Sequence, residues 1–469
     1  MKDCVKNYLN NKGYGVNQDA LDIIELCDAW YANREIDNFH VRKNLNNKEI
    51  HLSRMNFAKR CCADDANLCE VVSVAPEKKT KAKKFIEDLL HNNSFDVRYR
   101  EQLEKTSAAG TVGAYINLKN AKYIESDGKT IVRGGDIRIN YVDAGCIVPL
   151  TVENNHITEV AFANTSKVKG KEQTMLIIFT LNEHGMYVAE TVVFNHEGEK
   201  VEEHCFELQL GDVKPFAIMQ TAEVNNLDNM EGYGLPKVYN SIPFFKAIDL
   251  CYSILYGDLD KGEKVLFINE LLACLKIKDD GEAELTPRQK DLFILLGEKL
   301  PEEKSIIYEY NPEIRVEQIT KAFELVLSLL SIYFGYGTKK YSFENGRIVT
   351  ATEYAGTKQD SMQELNKQRK QATEYISDII HAAMWFSNQF LSTSFNVEEV
   401  LSIEFDDSYI VDKETELERV RSDALSFDIP ELTIKYLMEA YNYTEEEATA
   451  MVMKKVEEKE GDNGGEDED

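Results

Sequence analysis

The chain has 469 residues, of which 43% are hydrophobic, and it carries a formal net charge of -28. This length allows two or three domains with a sizeable core, and the apolar share is ordinary for a water-soluble protein. The negative charge argues against a protein that clamps nucleic acid along a basic face. It does not exclude a protein past which DNA slides without being held.

Cysteine usage and apolar runs restrict where the protein works. The nine cysteines are an odd number without paired spacing, so we expect reduced thiols in a cytosol. The first 26 residues contain many charges, so no signal peptide is expected. The longest apolar run, 322–334, contains Glu324 and is too short to span a bilayer. Together these features predict a soluble intracellular protein.

The N-terminal third is predicted to begin with helices. Apolar residues recur at helical spacing over 21–31 and 55–71. The adjacent Cys61 and Cys62 could suggest a metal or redox site. With no second Cys or His pair at ligand spacing, we favour buried small residues. Two shorter helices are predicted at 81–90 and 97–106.

Between residues 110 and 220 the hydrophobic period changes from 3.6 to 2, which indicates strands. Turn sequences separate the alternating segments without room for helices, so we predict antiparallel hairpins in two packed sheets. His184 and His196 flank a hairpin, and we favour exposed turn histidines over metal ligands. The predicted strands are 114–118, 137–142, 157–163, 175–181, 186–194 and 201–208.

From 225 to 315 the pattern is mixed. A helix is predicted over 236–259, with Pro243 near its first turns or marking its true start. A strand at 264–269, a short helix from Pro287 and alternation at 305–310 then predict a small α/β module. Because this module is inserted between two helices, we expect those helices to lie side by side and antiparallel.

The second of these helices, 316–334, is apolar on nearly every side, which suits a helix covered all round in a bundle or a ring. Gly335 and Gly337 should end it. A capping box at 350–353 predicts another helix that runs to about residue 391, with a weak point at Gly356. At about 1.5 Å per residue it would be roughly 50–60 Å long. The alternative is a long helix inside a large globular enzyme.

The C-terminal region returns to a strand and then to helices. The strand 401–405 has no neighbouring partner, so it must pair with an earlier sheet. The tail from residue 457 is too polar to bury surface, and we predict that it is disordered. The predicted helices are 415–424, 430–441 and one that opens with the capping box 444–447.

The search for catalytic chemistry finds no active site. G-x-x-x-x-G-K-[ST], G-x-S-x-G and H-E-x-x-H are absent from the sequence. Asp258, Asp260 and Gly262 faintly resemble a calcium-binding loop, but the end of a helix explains them better. The acidic residues at 406–412 are better explained as solvated carboxylates at the end of a strand. His381 is expected to be packed or hydrogen-bonded rather than catalytic. We therefore predict that the chain is not an enzyme and needs no cofactor.

Several motifs follow one another in a familiar order. The run 311–315, the apolar helix, and then Gly335, Phe343, Gly346 and 350–353 resemble tailed-bacteriophage portal proteins of siphophages and myophages of Gram-positive hosts. The resemblance spans almost the whole chain and rests on the order and spacing of its parts. Further matching segments are 55–59, 92–95, 232–234 leading into 244–252, 403–408 and 444–448.

The resemblance implies an α+β portal-type subunit assembled as a ring, usually of twelve copies. It would have a β-rich wing, a helical stem, a small α/β clip, a long kinked helix and a helical crown. The implied segments are the wing 1–231, stem helix 232–262, clip 263–313, second stem helix 314–335, tunnel loop 336–356, long helix and returning strand 357–411, crown 412–460 and disordered acidic tail 461–469.

Such a ring lies at one capsid vertex of the virion, after assembly in the host cytoplasm, and double-stranded DNA is packaged and ejected through it. The resemblance implies contacts with the terminase large subunit, a head–tail adaptor, and the major capsid and scaffold proteins, but no membrane. We expect a largely acidic bore, since each lysine would add salt-dependent affinity for DNA. Lys339, Lys340 and Arg347 are the candidate basic rings of the tunnel loop, with plain solvated charge as the alternative.

Other classes of protein remain open. A head–tail adaptor or another ring-forming structural protein would share the acidic surface, although adaptors are usually shorter. An acidic DNA-mimicking inhibitor should be small and monomeric. An enzyme with an unrecognised site is a further alternative. The mass of the assembly in solution separates a ring from a monomer or dimer.

Overall fold

The computed structural model describes the chain except residues 44–46, 78–80, 127–128, 169, 203–204, 263–264, 270–292, 297–306, 312, 338–339, 342–350, 407–419, 425–428, 442, 444–446 and 454–469. The side chains of 122–126, 129–133, 168, 261, 265–269, 293–296, 307–310, 351–361 and 439 are likewise outside the description. The chain divides into two compact units. One is Met1–Cys69 with Val74–Ile403, and the other is Glu70–Ser73 with Glu404–Asp469.

Helices and strands both contribute substantially, so the predicted α+β class is confirmed. In chain order, the helices are α1 (Asp3–Asn11), α2 (Gln18–Tyr31), α3 (Phe57–Ala66), α4 (Ala82–Asn92), α5 (Phe95–Ala109), α6 (Lys237–Lys261), α7 (Val316–Tyr333), α8 (Ala351–Phe390) and α9 (Pro430–Tyr441).

The described strands form one five-stranded sheet and smaller sheets of two or three strands. They are β1 (Val41–Lys43), β2 (Glu49–His51), β3 (Val71–Pro76), β4 (Thr111–Lys119), β5 (Lys122–Ser126), β6 (Lys129–Arg133), β7 (Asp136–Asp143), β8 (Ile147–Glu153), β9 (His156–Val168), β10 (Lys171–Leu181), β11 (Tyr187–Phe194), β12 (Phe206–Gln209), β13 (Phe216–Gln220), β14 (Val265–Asn269), β15 (Phe293–Leu296), β16 (Ile307–Tyr310) and β17 (Leu401–Phe405).

Two antiparallel sheets pack face to face in the β-rich part, as the alternating pattern predicts. One has the strand order β12-β11-β10-β9-β8 and the other β13-β4-β7. Aromatic rings fill the space between them: Tyr115 stacks on Phe162 at 5.4 Å, and Phe179 lies 5.6 Å from Phe216. Side chains alternate along a strand, so the larger sheet has a second face. That face is also apolar and needs a cover.

Helix α1 provides that cover. Val5 and Leu9 are fully buried against Val148, Leu176 and Val192 of the larger sheet. The polar side of α1 is tied to the same sheet, since the Tyr8 hydroxyl donates to Glu190 at 2.6 Å. Sequence analysis did not identify this helix of nine residues, although Cys4, Val5, Tyr8 and Leu9 recur at helical spacing.

Glycines allow β4 and the start of α6 to approach each other closely. A Cβ on Gly110 would stand 2.2 Å from the carbonyl oxygen of Gly234. Gly110 also has a φ of 82°, in the left-handed region that favours glycine, where it ends α5. The contact lies shortly before Lys237, where the next helix, α6, begins.

The structure corrects two local predictions and decides a third. The segment 55–71 is helical only over Phe57–Ala66 and a short 3₁₀ turn, and Val71 already begins strand β3. The helix predicted over 236–259 is confirmed as α6, which starts at Lys237, so Pro243 lies near its first turns and does not mark its start. Within the helix predicted from Pro287, Phe293–Leu296 form strand β15, which pairs in parallel with β14, and Pro287 itself lies outside the described residues. An apolar run as short as Phe293–Leu296 cannot be assigned to strand or helix by periodicity.

Other predictions near the C-terminus are confirmed or untested. The strand 401–405 pairs with an earlier strand, β3, and α9 covers the predicted range 430–441. Residues 444–446 of the proposed capping box, the first half of the predicted helix 415–424 and the acidic tail lie outside the described residues, whereas 420–424 are helical. The segment boundaries implied by the portal resemblance remain predictions.

Candidate functional site

Helices α6 and α7 form an antiparallel pair, as their position around the inserted module predicts. At one end, Phe244 of α6 lies 5.3 Å from Tyr333 of α7, measured between ring centroids. At the other end, the Arg315 guanidinium binds Asp258 through two hydrogen bonds of 2.8 and 2.9 Å. Asp258, which in the sequence faintly resembles part of a calcium-binding loop, is therefore one half of this ion pair. The strands β14, β15 and β16 lie between the two helices in sequence.

The inner face of α7 is buried in its own chain. Phe323, Leu327, Leu330 and Phe334 recur every three or four residues and are at most 8% exposed. This spacing places them along one side of the helix. The apolar character of α7 is thus only partly explained by packing within the subunit.

The outer face of α7 is apolar as well over the second half of the helix, and it is open. Leu325 is 62% exposed, Leu329 43% and Ile332 51%. Their spacing of four and three residues makes one stripe, offset by about half a turn from the buried face. We call Leu325, Leu329 and Ile332 the α7 stripe. Large exposed apolar patches usually mark an interaction surface.

The second half of α6, residues 250–261, has a similar exposed apolar stripe. Tyr252, Tyr256 and Leu259 follow the same spacing, and the latter two are 57% and 54% exposed. We call these three residues the α6 stripe. The helix pair therefore presents two different apolar surfaces that the described residues of its own chain leave uncovered.

The near half of α6 has the opposite character, because it carries buried charge. Lys237, in its first turn, donates from Nζ to Asp65 of α3 and to Glu364 of α8, both at 2.9 Å. All three side chains are at most 7% exposed. We call Lys237, Asp65 and Glu364 the charge cluster.

The electrostatics of the charge cluster keep the lysine charged. Burial alone lowers the pKa of Lys237, but the carboxylates of Asp65 and Glu364 outweigh it and raise the pKa above its ordinary value. Burial raises the pKa of the nearby Glu223 carboxyl. One cation is thus shared by two buried carboxylates. Such an arrangement is stable only with good geometry and further hydrogen bonds.

Asp65 receives those further hydrogen bonds. The Tyr336 hydroxyl donates to it at 3.0 Å, and the Gln368 amide donates to both of its oxygens at 3.1 and 3.0 Å. Tyr336 follows α7, and Gln368 belongs to α8. The cluster therefore joins α3, α6 and α8 with the segment that leaves α7.

A second buried pair holds α6 three turns further on. His40 Nδ1 accepts from the Ile36 amide at 3.0 Å, so its Nε2 carries the proton that faces Asp249 at 3.0 Å. Asp249 also accepts from the Met55 amide at 2.8 Å. This pair ties the middle of α6 to the loops around β1 and β2.

The three predicted tunnel-loop cations are only partly within the description. Lys339 and Arg347 lie outside the described residues. The Lys340 ammonium sits over the Tyr336 ring, 5.4 Å from its centroid, which is a cation–π distance. Whether the three cations share a surface that faces DNA remains a prediction.

The other candidates have ordinary structural explanations. His184 and His196 are exposed in turns, and His381 Nε2 lies 3.1 Å from the Glu399 carbonyl oxygen. Cys61 and Cys62 are fully buried, as expected for small core residues. Among the described residues, no group of three His, Cys, Asp or Glu side chains is placed to hold a metal ion.

Sequence reasoning missed the charge cluster and the His40–Asp249 pair. Their members are separated by more than a hundred residues, and each alone reads as an ordinary surface charge. The available signal was the position of Lys237, in a stretch with few other charges between Gly232 and Lys246.

Comparisons with known proteins place few limits on the function. No protein-family model matches the sequence, and no curated protein matches it. A chain from the neck of a native GTA particle, computed with C12 symmetry, matches over 78% of this chain and 84% of that chain. The identity is 8% and the TM-score 0.37, which is too low to establish a shared fold. Within the described residues, no helix is both long enough and apolar enough to cross a membrane.

Proposed function

We propose that this chain is the portal subunit of a tailed phage or phage-like particle. Copies would form a ring at one capsid vertex, through which double-stranded DNA is packaged and ejected. The observation that carries the proposal is the antiparallel pair α6–α7 with apolar stripes open on its outer surface. A single subunit offers nothing among its described residues that covers these stripes.

The two stripes favour a ring over a symmetric dimer. They lie on different helices, so the α7 stripe of one copy can pack on the α6 stripe of the next. A contact between two different surfaces is heterologous, and it closes into a ring when the rotation between copies allows it. Exposed apolar helices then become buried all round, as the sequence of α7 requires.

The charge of the chain suits passage of DNA rather than tight binding. A wall with a net charge of -28 per copy attracts few phosphates, and each avoided lysine contact removes salt-dependent affinity. In this proposal Lys339, Lys340 and Arg347 supply the few basic rings of the channel. The chain would have no enzymatic role, and a separate motor would hydrolyse ATP.

The proposal also names partners. The module between α6 and α7, including β14, β15 and β16, would dock the terminase large subunit and later a head–tail adaptor. The major capsid and scaffold proteins would surround the ring in the virion. These assignments follow from the portal resemblance.

The mass of the assembly tests the proposal. The 53.6 kDa chain should form a particle of roughly 640 kDa if twelve copies close a ring. Leu325→Glu, which places a charge in the α7 stripe, should release single chains because an unpaired charge cannot be buried at the contact. Val97→Glu is the matched control, since Val97 is an equally exposed residue of α5. A wild-type monomer or dimer would overturn the proposal and favour a DNA mimic.

The tunnel-loop cations need their own test. Substituting Lys339, Lys340 and Arg347 together by Gln should alter DNA packaging or retention while the mass of the ring stays unchanged. Each cation contributes through phosphates rather than through contacts between subunits. Unchanged packaging would refute their proposed role and leave them as ordinary surface charge.

A further inference from the structure

Asp65 is the common hydrogen-bond acceptor for three separate parts of the chain. Its two carboxylate oxygens receive Lys237 from α6, Tyr336 from the segment after α7, and Gln368 from α8. The side chain is only 3% exposed. Charge-assisted hydrogen bonds of this kind are stronger and more directional than neutral ones. Asp65 therefore fixes the relative positions of the groups that it binds.

Two of these groups stand at opposite ends of one segment. Tyr336 begins the stretch that leads away from α7, and Gln368 belongs to α8, which follows that stretch. Glu364, one turn before Gln368, strengthens the second attachment through Lys237. Glu364 also packs on Gly335, where an added Cβ would come within 3.1 Å of its Cγ. The two ends of the segment thus meet at the same place.

Helix α3 holds the first end through a second contact. Tyr341 packs edge-on against Phe57 of α3, with ring centroids 5.1 Å apart, and against Tyr336 at 6.1 Å. Burial raises the pKa of the Tyr341 hydroxyl, with nearby Cys61 adding to the effect, so this phenol stays neutral. Both tyrosines therefore anchor to α3 with their rings buried or half-buried.

We propose that Asp65 is a positioning residue that holds both ends of the segment between Tyr336 and Gln368 to α3. Through Lys237 it also fixes these ends relative to the start of α6. The proposal deepens the proposed function, on which it rests for its meaning, because this segment contains the residues expected to face DNA. Asp65 itself contacts no DNA and acts only through the groups that it binds.

A buried carboxylate suits this task better than apolar packing. Apolar surfaces can slide past one another with little loss of contact, whereas two oxygens that bind three donors lose bonds when any donor shifts. Buried polar networks are costly when only partly satisfied, which penalises alternative arrangements of the segment. The cluster therefore specifies one position for the two ends.

Hydrogen exchange of the full-length protein tests this role. In Asp65→Asn, the amides of residues 335–341 and 362–371 should exchange at least about tenfold faster than in the wild type. The amides of the larger sheet, β8 to β12, should be unchanged. A general loss of stability would instead raise exchange throughout the unit.

Asp249→Asn is the matched control. It neutralises an equally buried aspartate that also pairs with a cationic or donor side chain, but Asp249 faces His40 and Met55. It should accelerate exchange near residues 36–55 and leave 335–341 and 362–371 unchanged. If Asp65→Asn and Asp249→Asn gave the same pattern, or if Asp65→Asn changed nothing, the proposal would be overturned.

A milder variant covers the case in which Asp65→Asn does not fold. Tyr336→Phe removes only the hydroxyl that donates to Asp65 and keeps the buried ring. It should speed exchange at 335–341 by about threefold to tenfold, as expected for one hydrogen bond. Unchanged exchange in this variant would count against the proposal.

The outcome is independent of the proposed function. Exchange can be measured whether the wild-type chain is a ring or a monomer. A monomeric wild type with locally accelerated exchange in Asp65→Asn would refute the portal proposal and support the positioning role. A ring with unchanged exchange in both Asp65→Asn and Tyr336→Phe would support the portal proposal and refute the positioning role.

Discussion

The two halves of α6, residues 237–249 and 250–261, differ in how their side chains are packed within the subunit. Residues 237–249 are held at both ends by a buried charged side chain with its partners, Lys237 in ion pairs and Asp249 in hydrogen bonds, and the apolar side chains Val238, Phe245 and Ile248 are almost fully buried. Residues 250–261 contain no such contact among the described side chains and expose Tyr256 and Leu259. One continuous helix thus passes from a fully packed environment to an incompletely packed one.

This difference indicates which half belongs to the subunit and which to an assembly. Burying a charge is costly unless its partners are in place, so the first half must be completed by its own chain before assembly. Exposed apolar surface has no such requirement, and it can be buried later, when a neighbouring copy binds. The change from one regime to the other falls near Asp249.

The largest expected effect comes from removing the cation of the first half. Lys237→Met leaves Asp65 and Glu364 buried without their shared partner, and stability should fall by about 3–5 kcal/mol. Urea unfolding monitored by circular dichroism measures the loss. Lys367→Met, which removes an exposed lysine 3.5 Å from Glu364, is the control and should cost less than about 1 kcal/mol. Equal losses in the two variants would mean that the cluster has no special role.

The second pair of the first half should matter less. Asp249→Asn keeps the shape of the side chain but can satisfy only one of the two donors, His40 and the Met55 amide. We expect a loss of about 1–3 kcal/mol in the same unfolding experiment, the cost of one buried unsatisfied group. A loss as large as that of Lys237→Met would show that the two anchors are not ranked as proposed.

Salt should sharpen the contrast for the second half. Apolar contacts are not screened by ions, whereas repulsion between copies that each carry -28 is screened. Raising NaCl from low concentration to about 1 M should therefore preserve or strengthen the assembly. Light scattering across a salt series provides the measurement. Dissociation at high salt would indicate that ion pairs, not the stripes, hold the copies together.

The smallest effect is expected at the surface pair of the second half. In the Arg315–Asp258 pair the arginine is exposed to solvent and the aspartate is half-buried, and Arg315 lowers the pKa of the Asp258 carboxyl through its hydrogen bonds. Arg315→Ala should shift the thermal midpoint by no more than about 2 °C, since solvated ion pairs contribute little. A large shift would imply that this end of the helix pair is anchored within the subunit after all.

Strong local patterns made the helical parts of this fold predictable. Helix α7 was expected at 316–334 and ends at Tyr333, and α8 was expected to run to about 391 and ends at Phe390. Glycines after α7 and a capping box before α8 supplied clear boundaries. The antiparallel pairing of α6 and α7 followed from the insertion between them.

Weak or interrupted sequence patterns explain why several strands were not predicted. Strand β8 contains Pro149 and irregular register around Thr151, which break the alternation that identifies a strand. Strand β13 is a short apolar run without alternation. The charge cluster was beyond sequence reasoning, because Asp65, Lys237 and Glu364 meet only through tertiary packing. The openness of the stripes likewise required the structure of a whole subunit.

Single-particle images of the purified full-length chain test the central claim most directly. We expect a closed ring with a central hole, in which Leu325, Leu329 and Ile332 of each copy are buried against the α6 stripe of the next. A lone subunit with the same three side chains open to solvent would contradict the account.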